Sequence, residues 1–190
     1  MNETEKCYKY RLERGDFDKY LRGDILAISA DALRLPSKST GKVTPIGATE
    51  DFVKLSNHTD AIFDCVYSSH CLEHIPNIGE ALIHWARVIK PGGFMYLVVP
   101  DYSLYELEQW PPIFNSLHKQ SFSQVRTNAE IGRDSHHNIF LDVLPFMKRI
   151  NCDVVYTMVE DYNYDYSIRD RDQTVGDAVA QICTVWRKNG

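Results

Sequence analysis

His70-Cys71-Leu72-Glu73-His74 sets two imidazoles and a carboxylate in one short run. Such groups bind divalent ions or move protons near neutral pH. On a helix, the order H-x-x-E-H would turn both imidazoles to one face and hold zinc. Here the run follows a strand candidate and closes on Pro76, which argues against that helix. The residues then read as a loop ordered by hydrogen bonds from Glu73 and His74, with His70 lining a pocket. His118-Lys119 is a candidate acid/base or substrate-holding pair, since group transfer to a hydroxyl or amine needs a nearby base. A solvated loop histidine is the alternative. Asp101 and Tyr105 follow an apolar strand candidate, and Tyr102, Tyr105 and Trp110 could stack on a sugar or another ring, or pack locally. Asp161 to Tyr166 alternates acid or amide with Tyr and reads as an edge strand, a lid or a solvated loop. His136-His137 reads as a surface pair with no third ligand in range.

The elements that would position these groups alternate between strand and helix. Thr4 to Leu21 reads as one helix capping a sheet edge. Asp24 to Ser29 reads as a short buried strand, and Lys42 to Ile46 as a weak one whose Pro45 points to an edge. Ala61 to Tyr67 is a strong strand candidate. Asn77 to Lys90 carries Ile78, Ala81, Leu82, Trp85, Val88 and Ile89 at helical spacing, with Lys90 in the last turn before Pro91-Gly92-Gly93. Phe94 to Val99 is a continuous apolar strand of the parallel-sheet kind. A loop with short helices is expected over Asp101 to Ser121, a helix kinked by Pro145 over Asn138 to Ile150, and two closing strands over Asp153 to Val159 and Ala180 to Trp186. This order predicts an α/β sandwich, Rossmann-like, around a mainly parallel sheet. Ligands of such sheets bind at the carboxyl ends of the strands.

At 190 residues, 44% hydrophobic and 25% charged, the chain fits one ordinary globular domain over 1–190. Its net charge of -5 argues against a nucleic-acid surface. Five cysteines without a CxxC pair read as reduced thiols in a cytoplasmic protein. The polar N-terminus and the lack of a ~20-residue apolar run give no sign of a signal peptide or a membrane span.

One block carries a wider resemblance. Phe63-Asp64, Val66, Ser68 and Leu72-Glu73-His74 are followed by Arg87-Val88-Ile89-Lys90-Pro91-Gly92-Gly93 and Val98-Val99-Pro100-Asp101. In this order the pieces resemble the type 11 group of class I S-adenosylmethionine-dependent methyltransferases. Asp101 to Tyr105, Trp110-Pro111, Asn115, His118-Lys119 and Phe122 look like a narrower group, as do Asp165-Tyr166, Asp172-Gln173-Thr174 and Ala180-Gln181-Ile182. Leu117 stands where that group has an acid. The resemblance implies a methyltransferase sandwich with an antiparallel closing strand and S-adenosylmethionine as cofactor. It also places a divalent ion, in some quinone-pathway O-methyltransferases, at the position of His70, Glu73 and His74.

The first third departs from that pattern. A D-x-G-x-G loop usually follows the first strand, its glycines letting backbone approach the methionine end of the cofactor. Here Ala27, Ser29 and Asp31 stand in place of the acid and the two glycines. Glu50 or Asp51 stands in for the acid that meets the adenine, and Ser68 and Ser69 complete the expected cofactor contacts. A βαβ unit takes ~30 residues, and the stretch up to Ala61 holds about one where two would fit, so a reduced N-terminal half is expected.

Three functional readings follow. One is methyl transfer to a small molecule, such as a sugar of surface-polysaccharide synthesis, with His70, His118 and Asp101 as catalytic candidates and Tyr105, Trp110 and Lys119 on the substrate. Another is a degenerate homologue that binds no S-adenosylmethionine and works as a binding or partner subunit, or as a homo-oligomer. The third is an enzyme remodelled around His70, Glu73 and His74.

Overall fold

The computed structural model of the chain describes residues 3–28, 35, 42–46 and 49–190. Its centre is a strand buried almost along its whole length, β3 (Phe63–Ser69). Both faces of this strand are covered, which is why its sequence is continuously apolar rather than alternating. β1 (Ile25–Ile28) pairs parallel to it on one side and β4 (Ile89–Pro100) on the other. β2 (Val43–Pro45) lies outside β1. β8 (Gln181–Lys188) runs antiparallel to β4, and β7 (Cys152–Glu160) antiparallel to β8. The strand order is β2-β1-β3-β4-β8-β7, the expected mainly parallel sheet with an antiparallel closing strand. The chain leaves β1 toward β2 and resumes on the other side at β3, so the topological switch point lies between β1 and β3. A doubly wound sheet places a third strand outside the second. Among the described residues β2 is the edge strand, in keeping with a reduced N-terminal half.

One face of the sheet carries α4 (Ile78–Val88) and α6 (Leu144–Arg149). Leu82, Trp85 and Met147 pack there against Leu26, Val66, Leu97, Ile182 and Trp186. Asn77 caps α4, its side chain accepting the Glu80 N–H at 3.2 Å. Lys90 was expected in the last turn of α4 but belongs to β4, because Ile89 already has extended backbone. Pro91-Gly92-Gly93 then bulges out of the ladder: β3 advances from Phe63 to Cys65 while β4 runs from Ile89 to Phe94. A Cβ on Gly93 would come within 2.7 Å of the Asp64 carbonyl oxygen, so only glycine fits this close approach. Arg87 anchors the segment before β3, donating to the carbonyls of His58 and Leu55 and to the Asp60 carboxylate.

The other face is covered by the N-terminal segment. The single edge-capping helix expected there is instead three short helices, α1 (Glu3–Lys6), α2 (Tyr8–Arg14) and α3 (Asp16–Lys19). Gly15, at φ 74°, ends α2 in the left-handed region and redirects the chain. Phe17 and Leu21 thereby reach Ala27, Cys65, Tyr67, Tyr96 and Val185 on the sheet face. Polar groups are buried here too. Arg11 donates to the Tyr67 hydroxyl at 2.9 Å and pairs with Glu160 at 3.2 Å, with 1% and 0% of the two side chains exposed. Arg14 reaches the second Glu160 oxygen at 2.8 Å, and Gln181 donates to the first.

Two local expectations are corrected, and the helix expected over 138–150 is refined. Asp101 to Ser121 holds turns and no helix. His136 is fully buried rather than at the surface, because Ser121–Ser123 (β5) and His136–Asn138 (β6) form a small parallel pair and the Ser121 hydroxyl meets its Nδ1 at 2.8 Å. The 138–150 stretch starts as a π-helical turn, Ile139–Val143, which gives way to α6 just ahead of Pro145. A proline in the first turn of a helix removes no needed hydrogen bond. Among the described residues no helix is long and apolar enough to cross a membrane, and all five cysteines are free.

Burial alone would raise the Glu160 carboxyl, but Arg11 and Arg14 outweigh it and bring the pKa down to about 2 from an ordinary 4.5. An acid depressed in the folded state stabilises above its unfolded pKa and loses that contribution as pH falls through the folded one. Thermal melts should therefore drop between pH 4.5 and about 2, and Glu160→Gln should be less stable at neutral pH yet flatter over that window.

Candidate functional site at the carboxyl edge of the sheet

β3 ends at the switch point, where Ser68 lies level with Ile28 of β1. The Ser68 hydroxyl is buried and meets no oxygen or nitrogen partner, only the weak Cys71 thiol. The next residues leave the sheet sharply. His70 sits at φ 52°, a backbone region that side chains with a Cβ seldom adopt. Its Nδ1 meets the Ser69 hydroxyl at 3.1 Å. Burial, with the Arg11 charge nearby, pushes the imidazole down to about 3, so it is neutral at physiological pH.

Leu72–His74 then forms a 3-10 turn, and the 115–120 loop is tied onto it. The Glu73 carbonyl accepts the N–H groups of Lys119 and Gln120 at 2.7 and 3.0 Å, and Gln120 Nε2 donates to the carbonyls of Ile75 and Pro76. The join brings Glu73, His74, Glu106, Asn115 and His118 together. His118 Nδ1 meets Glu106 Oε1 at 2.6 Å, both side chains almost wholly buried. Asn115 Oδ1 accepts the Leu117 N–H, which leaves its Nδ2 to donate to His118 Nε2 at 3.1 Å. His74 Nδ1 donates to the Leu117 carbonyl. Glu73 is 1% exposed, and its carboxylate has no hydrogen-bond partner beyond its own backbone N–H. Burial raises its pKa to about 8, with Glu106 adding to the rise.

Asp101 lies at the end of β4. Its Oδ1 accepts the N–H groups of Ser103 and Leu104, yet burial outweighs them and lifts its pKa to about 6. The Tyr105 ring faces His118 with 5.5 Å between centroids. Trp110 lies under the Arg133 guanidinium, 3.8 Å from the ring centroid. Lys119 is exposed.

Ser68, Ser69 and His70 lie at the carboxyl end of β3, and Asp101, Tyr105, His118 and Lys119 in the segment that follows β4. Glu50 and Asp51 are engaged elsewhere: Glu50 pairs with His58 at 2.6 Å, and Asp51 Oδ1 accepts the Val53 and Lys54 N–H groups. Ser29 and Asp31 lie outside the described residues. Sequence reasoning missed Glu106, Asn115 as a partner of His118, and Gln120. Nothing local in Tyr105-Glu106-Leu107 marks Glu106 as a charge that will be buried.

Residues 18–137 match the methyltransferase-domain family. The chain belongs to that family. No curated protein sequence matches it. Among solved structures it is similar to an S-adenosylmethionine-dependent methyltransferase from Clostridium acetobutylicum (12% identity, 100% of this chain and 93% of that one, TM-score 0.58). It is likewise similar to a Mesorhizobium loti S-adenosylmethionine-dependent methyltransferase (14% identity, 95% and 97%, TM-score 0.52). A third likeness is to a chain of the complex between the Haloferax volcanii Trm112 methyltransferase activator and the protein assigned as its methyltransferase (12% identity, 97% and 92%, TM-score 0.59). At these identities the likeness is one of fold. The cofactor that goes with this methyltransferase family is S-adenosylmethionine, and the buried Ser68 hydroxyl at the switch point, with no oxygen or nitrogen partner, suits a polar ligand of that kind.

In chelator-treated protein, Glu73 in this methyltransferase fold sets a second prediction. An acid whose folded pKa is raised from 4.5 to about 8 favours folding only while protonated, so stability is lost as pH rises across that window. Glu73→Gln should match the parent near pH 4 and melt higher above pH 8, read by circular dichroism.

Proposed function

We propose that this protein transfers a methyl group from S-adenosylmethionine to an oxygen or nitrogen of a small acceptor, a sugar being the best fit to its aromatic and acidic edge. The observation that carries the reading is Ser68, a buried hydroxyl without an oxygen or nitrogen partner at the switch point of a methyltransferase-family sheet. Ser68 and Ser69 would hold the cofactor. When bound, the cofactor supplies an electrophilic methyl on a sulfonium centre. The protein's own tasks are alignment of the acceptor and removal of its proton. Asp101 suits the second task, because a carboxyl held near pH 6 can both take a proton and release it close to neutral pH. His70, neutral and hydrogen-bonded to Ser69, would stand beside the acceptor. Tyr105, Trp110 and Lys119 would hold the acceptor, and His118 fixes the wall behind it.

A second reading rests on Ala27. It is fully buried in β1 between β2 and β3, where the resemblance expects an acid, and this favours a homologue that has lost the cofactor and serves as a partner subunit. The similarity to a chain from a methyltransferase–activator complex supports the partner-subunit part of this reading.

Calorimetry with S-adenosylmethionine and S-adenosylhomocysteine separates the two. Micromolar binding is expected; no heat and no thermal shift at millimolar ligand would overturn the first reading. If methyl transfer is found with a panel of monosaccharides and nucleotide sugars, its rate should fall as pH drops through about 6. Asp101→Asn should then lower kcat by about 10²- to 10⁴-fold and abolish that pH dependence.

A further inference from the structure

We propose that Glu73, His74 and His118 form a binding site for a divalent transition-metal ion, zinc being the ion that suits the donors best. One ligand atom from each residue lies within 4.8 Å of the other two. The second, independent observation is the Glu73 carboxylate, buried to 1% exposure with no hydrogen-bond partner beyond its own backbone N–H. A buried carboxylate left without partners is costly, and an ion is the partner that would satisfy it.

The imidazoles are arranged as ligands are. Metal-bound histidines hand their other ring N–H to a carboxylate or a backbone carbonyl, which fixes tautomer and orientation. Both do so here: His118 Nδ1 faces Glu106 at 2.6 Å and His74 Nδ1 faces the Leu117 carbonyl at 3.2 Å. Each ring is left with Nε2 as donor. His74 Nε2 is already 3.8 Å from Glu73 Oε1, and His118 Nε2 would exchange the Asn115 amide for the ion. Two imidazoles and one carboxylate select zinc or a neighbouring transition ion over magnesium or calcium, which prefer all-oxygen sites. Three protein ligands leave a position open, and one third of the His74 side chain is exposed, so a small molecule's oxygen has a way in. His70, the first imidazole of the sequence run, is not among the converging residues. The histidine that completes the site comes instead from the loop after β4.

The site does not depend on the methyl-transfer reading, and its test reads metal alone. Chelator-stripped protein is titrated calorimetrically with zinc chloride, and separately with cobalt chloride while visible absorption is followed. One equivalent should bind saturably, and the cobalt form should show the intense bands of a low-coordinate nitrogen/oxygen site without thiolate charge transfer. Glu73→Gln and His118→Ala should weaken binding by about tenfold or more, and Glu106→Gln by about 10- to 100-fold. His74→Ala, at a part-exposed position, provides the variant least able to disturb folding and should also weaken binding. His137→Ala, outside the cluster, should change nothing. Absence of one-equivalent binding by the folded parent, loss of binding only on Cys71→Ser, or equal affinity for magnesium would each overturn the proposal.

Discussion

Arg11 and Glu160 meet out of reach of water, and the arrangement of the sheet's second face hangs on that contact. Glu160 ends β7, Tyr67 belongs to β3 and Gln181 opens β8, so one guanidinium on α2 is bonded to or one step from three strands. Apolar packing of Phe17 and Leu21 would tolerate several placements of such short helices. A buried charge does not tolerate them, since any sliding of α2 leaves a carboxylate or a guanidinium desolvated and alone. The same pair supplies charge beside the active edge, where Arg11 helps to keep His70 neutral.

The sheet was legible because its strands announce themselves by burial. Apolar runs such as Phe94 to Val99 have only one use in a chain of this composition, and the helical spacing from Ile78 to Val88 has only one period. Element boundaries set by backbone geometry were less legible. Ile89 is as apolar as any helix residue, and only its pairing with Phe63 across the ladder accounts for the extended chain there. The N-terminal helices were misread as one because charge and Tyr alternate across Gly15 without a break in character, although the glycine itself marks the bend.

The candidate site was half legible for a similar reason. His70, Asp101 and His118 lie just beyond strands or in a distinctive run, and the rule that ligands gather at strand ends picks them out. What the spacing of His70-Cys71-Leu72-Glu73-His74 suggested as one local cluster is divided by the fold. His70 sits in a left-handed turn just after β3, while Glu73 and His74, in the 3-10 turn that follows, meet His118 from far along the chain. Partners such as Glu106 and Gln120 become visible only once the 115–120 loop is docked on the Glu73 carbonyl.

β7 has a consequence beyond the active edge. It is the outermost strand on its side, running from Cys152 to Glu160, and an open edge of this length is a template on which other chains can polymerise into cross-β aggregates. Its register slips between Val154 and Tyr156, and Val155 stands exposed at the break. An irregularity in mid-strand spoils the regular row of donors and acceptors that an incoming strand would need. The slip is thus a safeguard for colloidal solubility, and straightening β7 into a perfect ladder would make the protein stickier at high concentration.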